Sequence, residues 1–208
     1  MTIFLAKQVS FSICIILAIM RLVQAGDPDI LFNYIVPSNV TTVDGNFFTY
    51  TNIRGFLDGP NQTDTKSMTC SLIEFPALNG QSVSLSVLRL APGGASPPHI
   101  RPHATGLFFV LAGQFEVGFV DTTNKLYTQT LETGDMFIFP KGLIHYQYNP
   151  DVMKPAVAVA GFGSASASTV SIPVTLFGGK IDDDILAKSF KTDVATIQKL
   201  KNGFGGKV

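Results

Sequence analysis

The middle of the chain alternates short apolar segments with turns. Within residues 81–87 the apolar side chains alternate with serine, which is the period-two pattern of a strand with one face on a core. More short apolar segments follow, separated by turns that carry glycine, asparagine or aspartate; they lie at residues 107–111, 115–119, 126–131, 136–139, 156–162 and 170–177. Strands of this length and spacing predict an all-β fold, either a sandwich or a jelly-roll barrel.

Only the C-terminus has a helical pattern. Asp182–Asp184 place carboxylates at the start of a first short helix, where they favour the helix dipole. Thr192 is predicted to cap a second helix and Gly203 to end it. The apolar stripe of the second helix consists of Val194, Ile197 and Leu200. We expect the stripe to be covered partly by another subunit, because a lone barrel would leave it partly in water.

The first 25 residues have the pattern of a secretory signal peptide. Lys7 precedes an apolar run over residues 9–20, which is short for a membrane span, and Val23–Ala25 supply small residues before a turn-prone acidic segment. A buried N-terminal helix or a signal anchor is the alternative. We predict a signal peptide at residues 1–25, one domain at residues 26–208 and a secreted, extracellular protein.

Composition narrows the range of partners. Lys and Arg total 15 and Asp and Glu total 15, so no net charge directs the chain to nucleic acid or to an anionic membrane. The 17 phenylalanines and the 14% of charged residues describe a heavily buried fold that suits an oligomer. Asn39 and Asn61 each begin a glycosylation acceptor triplet in a predicted loop. Cys14 would leave with the signal peptide, so Cys70 could form no intrachain disulfide and is expected to be a buried, inert thiol.

All three histidines of the chain lie in two segments that carry the candidate chemistry. The first segment, residues 97–106 with Gly94 shortly before it, contains His99, Arg101 and His103. The second segment, residues 134–149, contains Gly134, Pro140, Gly142, His145 and Asn149. The strands and turns predicted between them allow the two segments to meet inside one β-structure.

The two segments resemble the paired boxes of the germins and germin-like proteins, which are secreted plant members of the cupin superfamily. The likeness continues through residues 26–29, 74–83, 117–120, 173–178 and 190–193. The resemblance implies a single cupin jelly-roll β-barrel with short C-terminal α-helices, and a homohexamer built as a trimer of dimers. Germins usually carry a disulfide near the mature N-terminus, for which this chain has no cysteine pair.

The resemblance also implies a manganese site of three histidines and one glutamate. His99 and His145 match two of these ligands, but Arg101 stands at the second histidine and Gly106 at the glutamate. A guanidinium about 4 Å from a dication would be repelled by roughly 8 kcal/mol at an effective dielectric constant of 20. His103 lies too far along the strand to replace a ligand. We therefore predict vestigial metal ligands at His99 and His145, no catalytic or cofactor-binding residue, and no cofactor unless manganese proves to bind.

Three functions remain open. The first is a secreted apoplastic protein without a working manganese site, which has a structural, cell-wall binding or defence role. The second is a manganese enzyme, namely a superoxide dismutase or, less favoured, an oxalate oxidase. The third is a small carboxylate or anion binder in which Arg101 supplies the binding group. His99 and His145 could also be inherited core histidines, with His145 hydrogen-bonded to Asn149 or to a tyrosine. The loss of two ligands favours the first function.

Overall fold

The computed structural model describes residues 27–58 and 63–204, which contain two five-stranded antiparallel sheets. The strands are β1 Lys66–Cys70, β2 Ser84–Leu90, β3 Ala95–Ile100, β4 Gly106–Ala112, β5 Gln114–Val120, β6 Leu126–Glu132, β7 Met136–Phe139, β8 Ile144–Tyr148, β9 Ala156–Phe162 and β10 Val170–Ser171. The first sheet has the order β1-β2-β9-β4-β7, and the second has the order β10-β3-β8-β5-β6. The predicted all-β jelly-roll fold is confirmed. The predicted signal peptide and Asn61 lie outside the described residues.

The hydrophobic core lies between the two sheets. Phe108 and Val110 of β4 pack in one cluster with Phe115 and Val117 of β5, and all four side chains are buried. The rings of Phe108 and Phe115 meet edge to face with centroids 5.2 Å apart. Burial of each such phenylalanine contributes roughly 1.5–3 kcal/mol, so this contact fixes one sheet against the other.

The serine side of β2 faces the interior of the barrel. Ser84 and Ser86 are both buried, whereas Leu85 between them is only partly covered. The Ser84 hydroxyl donates a hydrogen bond to the carbonyl oxygen of Ser164 at 2.6 Å, and Ser86 pairs in register with Ala160 of β9. The period-two alternation is present as predicted, but the strand begins at Ser84, and its serine side rather than its apolar side faces the barrel interior. These small inward residues leave internal space.

The expected strand over residues 170–177 is wrong beyond its second residue. Only Val170–Ser171 pairs, and residues Val174–Gly178 form a π-helix. Pro173 adopts helical dihedral angles, with φ −61° and ψ −44°, and has no N–H to give to a ladder. The alternation of apolar residues predicts a strand here, but this pattern does not show that residue 173 lacks the N–H that a strand needs.

Two helices follow at the C-terminus, α2 over Asp183–Phe190 and α3 over Val194–Phe204; a short helix α1 over Ile53–Asp58 precedes the barrel. Asp182 caps α2, since its carboxylate accepts from the backbone N–H of Asp184 at 2.9 Å. Asp193, and not the predicted Thr192, caps α3 by accepting from the N–H of Thr196 at 2.8 Å. Gly203 lies within α3 and does not end it.

The apolar stripe of α3 is covered in part within the chain. Ile197 is fully buried against Leu186 and Ala187 of α2, with Val194 packed beside them. Leu200 remains 40% exposed at the end of the stripe. One residue of the stripe is therefore left for contacts outside the chain, fewer than the sequence pattern suggested.

Polar anchors hold the N-terminal segment to the barrel. The carboxylate of Asp27 accepts from the hydroxyl of Ser164 at 2.7 Å. The buried Arg89 donates to the carbonyl oxygen of Phe56 at 3.0 Å and forms an ion pair with Asp64 at 2.8 Å. Cys70 is a buried free thiol whose pKa is raised by burial, as expected for an inert cysteine. Among the described residues, no helix is long and apolar enough to cross a membrane.

Candidate functional site

A cavity of about 470 Å³ opens into the interior of the barrel, and both histidine segments contribute to its wall. Its polar lining includes Thr65, Ser67, Thr69, Ser86, His99, Arg101, His145, Gln147 and Ser171. Its apolar lining includes Leu88, Phe108, Phe139, Ala160 and Phe162. Within the described part of the chain, no acidic residue lines this cavity.

The two cavity histidines lie side by side on neighbouring strands. His99 of β3 pairs in register with His145 of β8, and their ring centroids are 4.2 Å apart. The Nδ1 atom of each ring lies 2.9 Å from a backbone carbonyl oxygen, that of Pro97 for His99 and that of Leu143 for His145. A carbonyl oxygen only accepts, so Nδ1 carries the proton and Nε2 is left as an acceptor or ligand. The alternative of a hydrogen bond from His145 to Asn149 or to a tyrosine is not found, since His145 Nδ1 bonds to the carbonyl oxygen of Leu143, just before β8.

Burial keeps both imidazoles neutral at neutral pH. The pKa of His145 is lowered to about 4, chiefly by burial and next by the neighbouring His99. The pKa of His99 is lowered by burial, and the charge of Arg101 adds to this effect. The positive charge at this part of the cavity therefore belongs to Arg101.

Arg101 directs its guanidinium into the barrel. Its Cζ atom lies 4.2 Å from the centroid of the Phe162 ring, and Nη1 donates to the carbonyl oxygen of Ser168 at 3.2 Å. Burial lowers the pKa of Arg101 to about 10, which leaves it charged at neutral pH. Its contacts with Phe162 and Ser168 hold the guanidinium at the cavity wall.

Gly106, at the position of the family glutamate, has little room for a side chain. It is buried at the start of β4, where it pairs with Phe139 on one side and Phe162 on the other. A Cβ atom placed on it would lie 3.0 Å from Cε1 of Phe162. The Phe162 ring therefore fills the space that a glutamate side chain would need.

His103 does not join the two cavity histidines. It is exposed, and its Nδ1 atom lies 3.1 Å from the carbonyl oxygen of Ser166 and 3.3 Å from the Ser168 hydroxyl. It is not among the residues that line the cavity. His103 and the two cavity histidines therefore lie in different surroundings.

The donor set does not fit a manganese ion. Within residues 27–58 and 63–204, no three histidine, cysteine or carboxylate side chains lie close enough to hold a metal ion. Two imidazoles are present, but a guanidinium shares their cavity and no carboxylate balances the charge of a dication. A manganese ion would therefore lack two of its four protein ligands here and would be repelled by the positive charge of Arg101.

Asn149, the last residue of the second box, has a structural role. It is fully buried, and its side-chain N–H groups donate to the carbonyl oxygens of Ala91 at 3.0 Å and Lys154 at 2.8 Å. Its side-chain oxygen accepts from the N–H of Asp151 at 3.0 Å. These bonds join two loops at one end of the barrel and do not reach the histidines.

Sequence reasoning missed Phe162, Gln147 and Ser171 as cavity residues. The inner face of β9 reads Ala156, Ala158, Ala160 and Phe162, and all four are buried. Three small side chains in succession on an inward face indicate internal space, so this period-two pattern carried the missing signal. Ser171 offered no such signal, because its place depends on the short pairing of β10 with β3.

Comparison with known proteins agrees with the barrel and its two histidine strands. Residues 66–198 match the cupin family. A solved structure of oxalate oxidase in complex with the substrate analogue glycolate superposes with a TM-score of 0.76 at 29% identity, covering 88% of this chain and 100% of that one. Fold and family match together define a cupin.

Two similar proteins show which group of cupins this chain belongs to. The chain is 52% identical over 201 residues to germin-like protein 9-3 of Oryza sativa subsp. japonica, covering 92% of each chain. It is 41% identical over 173 residues to a rhicadhesin receptor of Pisum sativum, covering 82% of this chain and 77% of the relative. The chain belongs to the germin-like proteins of the cupin family.

Proposed function

We propose that this chain is a secreted plant germin-like protein that acts without a manganese ion, as a binding or structural protein of the cell wall and extracellular space. The cavity of the barrel keeps two of the four metal ligands that the family resemblance implies, His99 and His145. The likeness to a pea protein named as a receptor supports a binding role.

The observation that carries this proposal is the pair of contacts made by Phe162. Its ring stacks under the Arg101 guanidinium at 4.2 Å and lies 3.0 Å from the Cβ position of Gly106. One aromatic side chain thus secures the cation at one lost ligand position and fills the space at the other. Both replacements are parts of one packed arrangement, so a metal ion would have to disrupt it.

Elemental analysis of the purified protein tests the proposal. The protein should be dialysed without chelator beside a germin whose box is intact, and manganese measured in both. We expect a negligible manganese content here and a near-stoichiometric content in the comparator. Near-stoichiometric manganese in this protein would contradict the proposal.

A manganese enzyme is the second candidate function. It is favoured by the two adjacent imidazoles, whose Nδ1 atoms are fixed by backbone carbonyl oxygens so that Nε2 is available. Likeness to solved oxalate oxidases supports the same candidate. The manganese measurement separates the two functions, because the enzyme requires the metal and the first candidate does not.

Self-association is part of the proposal. The outer face of the first sheet carries Leu107, Met136 and Ile138, which are 48%, 61% and 52% exposed, and Leu107 pairs directly with Ile138. Exposed apolar patches on a sheet mark interaction surfaces, and an assembly such as the expected homohexamer would cover this one. Ile138→Lys should lower the mass measured by light scattering, whereas Thr122→Lys in an exposed loop should not. Truncation after Gly179, which removes α2 and α3, should also lower it.

Secretion is the remaining part of the proposal. It depends on the signal-peptide pattern of residues 1–25 and receives support from Asn39, which lies exposed in a turn where a glycan could be attached. N-terminal sequencing of protein recovered from the cell wall should begin at or near Gly26. Retention of Met1 would contradict this part of the proposal.

A further inference from the structure

The Arg101 guanidinium is a partly buried cation with unused hydrogen-bond donors. An arginine side chain has five N–H groups, and in the described part of the chain one hydrogen bond from this guanidinium is found, to Ser168. Lys66 also lines the cavity, but its ammonium lies 6.0 Å from the ring of Phe56, against which Arg89 packs as well. A partly buried cation with open donors, in a cavity that no described acidic residue lines, favours the binding of an anion.

Ser171 adds a second polar group that lacks a partner. Its hydroxyl oxygen is buried and has no hydrogen-bond partner among the described residues. Ser171 pairs with His99 in the ladder between β10 and β3, which places it on the same cavity wall as the histidines. An unsatisfied buried hydroxyl costs about 1–3 kcal/mol, so a bound group that bonds to it removes an existing penalty.

The rest of the cavity suits an apolar ring more than a small ion. Its volume is about 470 Å³, and Leu88, Phe108 and Phe139 form part of its wall. One water molecule occupies about 30 Å³ in the liquid, so an inorganic or two-carbon anion at Arg101 would leave most of this wall in contact with water. Sites for small organic molecules commonly have about 300–1,000 Å³ and mostly apolar walls with a few polar groups.

We propose that the cavity binds an aromatic carboxylate. The carboxylate group pairs with the guanidinium of Arg101, and the ring packs against Phe108 and Phe139. The Ser171 hydroxyl donates a hydrogen bond to the carboxylate or to another polar group of the ligand. This inference rests on the proposed function, since it requires a cavity without manganese. An aromatic ring offers flat faces to the phenylalanines, and a carboxylate matches the fork of donors on a guanidinium. The site differs from a metal centre in that the protein itself supplies the positive charge.

Calorimetric titration with benzoate tests the ligand class. Benzoate has both the ring and the charge, acetate lacks the ring, and benzyl alcohol lacks the charge. We expect wild-type protein to bind benzoate at least about 10-fold more tightly than either of the other two, which corresponds to about 1.4 kcal/mol. Equal binding of acetate and benzoate would overturn the role of the apolar wall, and equal binding of benzyl alcohol would overturn the role of the cation.

Single substitutions test the assigned residues. Arg101→Gln should weaken benzoate binding by about 10- to 100-fold, the usual effect of losing a charge-assisted pair, and Arg101→Lys should weaken it less. Ser171→Ala should weaken it by about 3-fold. Arg54→Gln, on the exposed surface of α1, is the matched control and should bind benzoate as the wild type does. Benzoate binding by Arg101→Gln at wild-type strength would overturn the assignment.

Manganese content measured on the same samples separates this inference from the proposed function. Metal-free protein that does not bind benzoate contradicts the aromatic carboxylate site alone. Near-stoichiometric manganese contradicts the proposed function and removes the basis of this inference. Metal-free protein that binds benzoate through Arg101 supports both.

Discussion

The two histidine segments of the barrel differ in what they have kept. The second segment retains its turn glycine Gly142, with φ +75°, its cavity histidine His145 and its buried Asn149. The first segment retains His99 but carries Arg101 and Gly106 in place of the other two ligands that the family resemblance implies. The second segment therefore keeps both its backbone conformation and its metal-ligand position, whereas the first segment keeps one of three ligand positions.

The backbone of the altered segment is still joined to that of the intact one. The N–H of Gly142 donates to the carbonyl oxygen of Arg101 at 3.0 Å, and the N–H of Asn149 donates to that of Gly94 at 2.8 Å. These bonds do not depend on the side chain at residue 101. Metal ligands could thus be lost without loss of the fold, because the barrel is held by its ladders and core and not by a metal ion.

The largest effect is expected from restoring the first segment. Arg101→His together with Gly106→Glu completes the set of three histidines and one glutamate. The double change also removes the guanidinium that stacks on the Phe162 ring. We expect manganese retained after dialysis to rise from negligible to near-stoichiometric. Neither single change should suffice: Arg101→His leaves no carboxylate, and Gly106→Glu meets both Phe162 at 3.0 Å and an arginine that pairs with it.

Phe162 decides how complete the restoration is. Overpacking of a core costs about 1–3 kcal/mol, so a glutamate at residue 106 forces the Phe162 ring to move. Adding Phe162→Leu to the double change should raise manganese occupancy or leave it full. Negligible manganese in both the double and the triple variant would show that the two altered residues are not what prevents binding.

The next largest effect is expected at Asn149. Asn149→Ala removes every side-chain hydrogen bond of this residue and leaves the carbonyl oxygens of Leu90, Ala91 and Lys154 without this donor in a buried site. The free energy of unfolding, measured with denaturant, should fall by about 3 kcal/mol. Asn202→Ala, on the exposed part of α3, is the control and should change it by no more than about 0.5 kcal/mol. Equal effects of the two substitutions would contradict the structural role.

The strands could be predicted from sequence, because residues 107–111 and 136–139 are short apolar runs bounded by turns, and residues 115–119 carry apolar side chains at every second position. The meeting of His99 with His145 followed from the family resemblance and the strand order. The contact of Arg101 with Phe162 could not be predicted, since it joins residues 61 positions apart in sequence and depends on which side chain fills the cavity.

Local competition between neighbouring groups explains the smaller errors. Thr192 and Asp193 can each cap a helix, and only the backbone of the turn decides that Asp193 reaches Thr196. Pro173 ended the strand that apolar alternation predicted. His145 bonds to the carbonyl oxygen of Leu143, which lies only two residues earlier in the chain, just before β8.

The buried histidines give the barrel a dependence on pH. The pKa of His145 is about 4 in the folded protein, below the ordinary value of 6.5, so between pH 6.5 and 4 the unfolded chain binds a proton that the folded chain does not. The free energy of unfolding should therefore fall as the pH falls from 6.5 to 4, by up to about 3 kcal/mol from this residue. His145→Gln should lose less stability over this interval, whereas His103→Gln, at an exposed site, should behave as the wild type. Parallel pH profiles for all three proteins would contradict the prediction.

The smallest expected effects separate the two glycines of the comparison. Gly142→Ala should lower the free energy of unfolding by about 1–2 kcal/mol, because φ is +75° there and no atom lies within 4 Å of a new Cβ. Gly106→Ala should cost a similar amount for a different reason, since its Cβ would lie 3.0 Å from Phe162. Similar losses of unfolding free energy would therefore have different causes, namely backbone strain at Gly142 and a steric clash at Gly106.

A double-mutant cycle with Phe162→Leu distinguishes these causes. Shortening the side chain at residue 162 gives a Cβ at residue 106 room, so Gly106→Ala and Phe162→Leu should couple favourably, by about 1 kcal/mol. Gly142→Ala should show no coupling with Phe162→Leu, because left-handed backbone strain is unaffected by a distant ring. The measurement is the free energy of unfolding of each single and double variant. Zero coupling at Gly106 would mean that Phe162 does not fill the place of the lost glutamate, and the barrier to restoring a metal site would then lie with Arg101 alone.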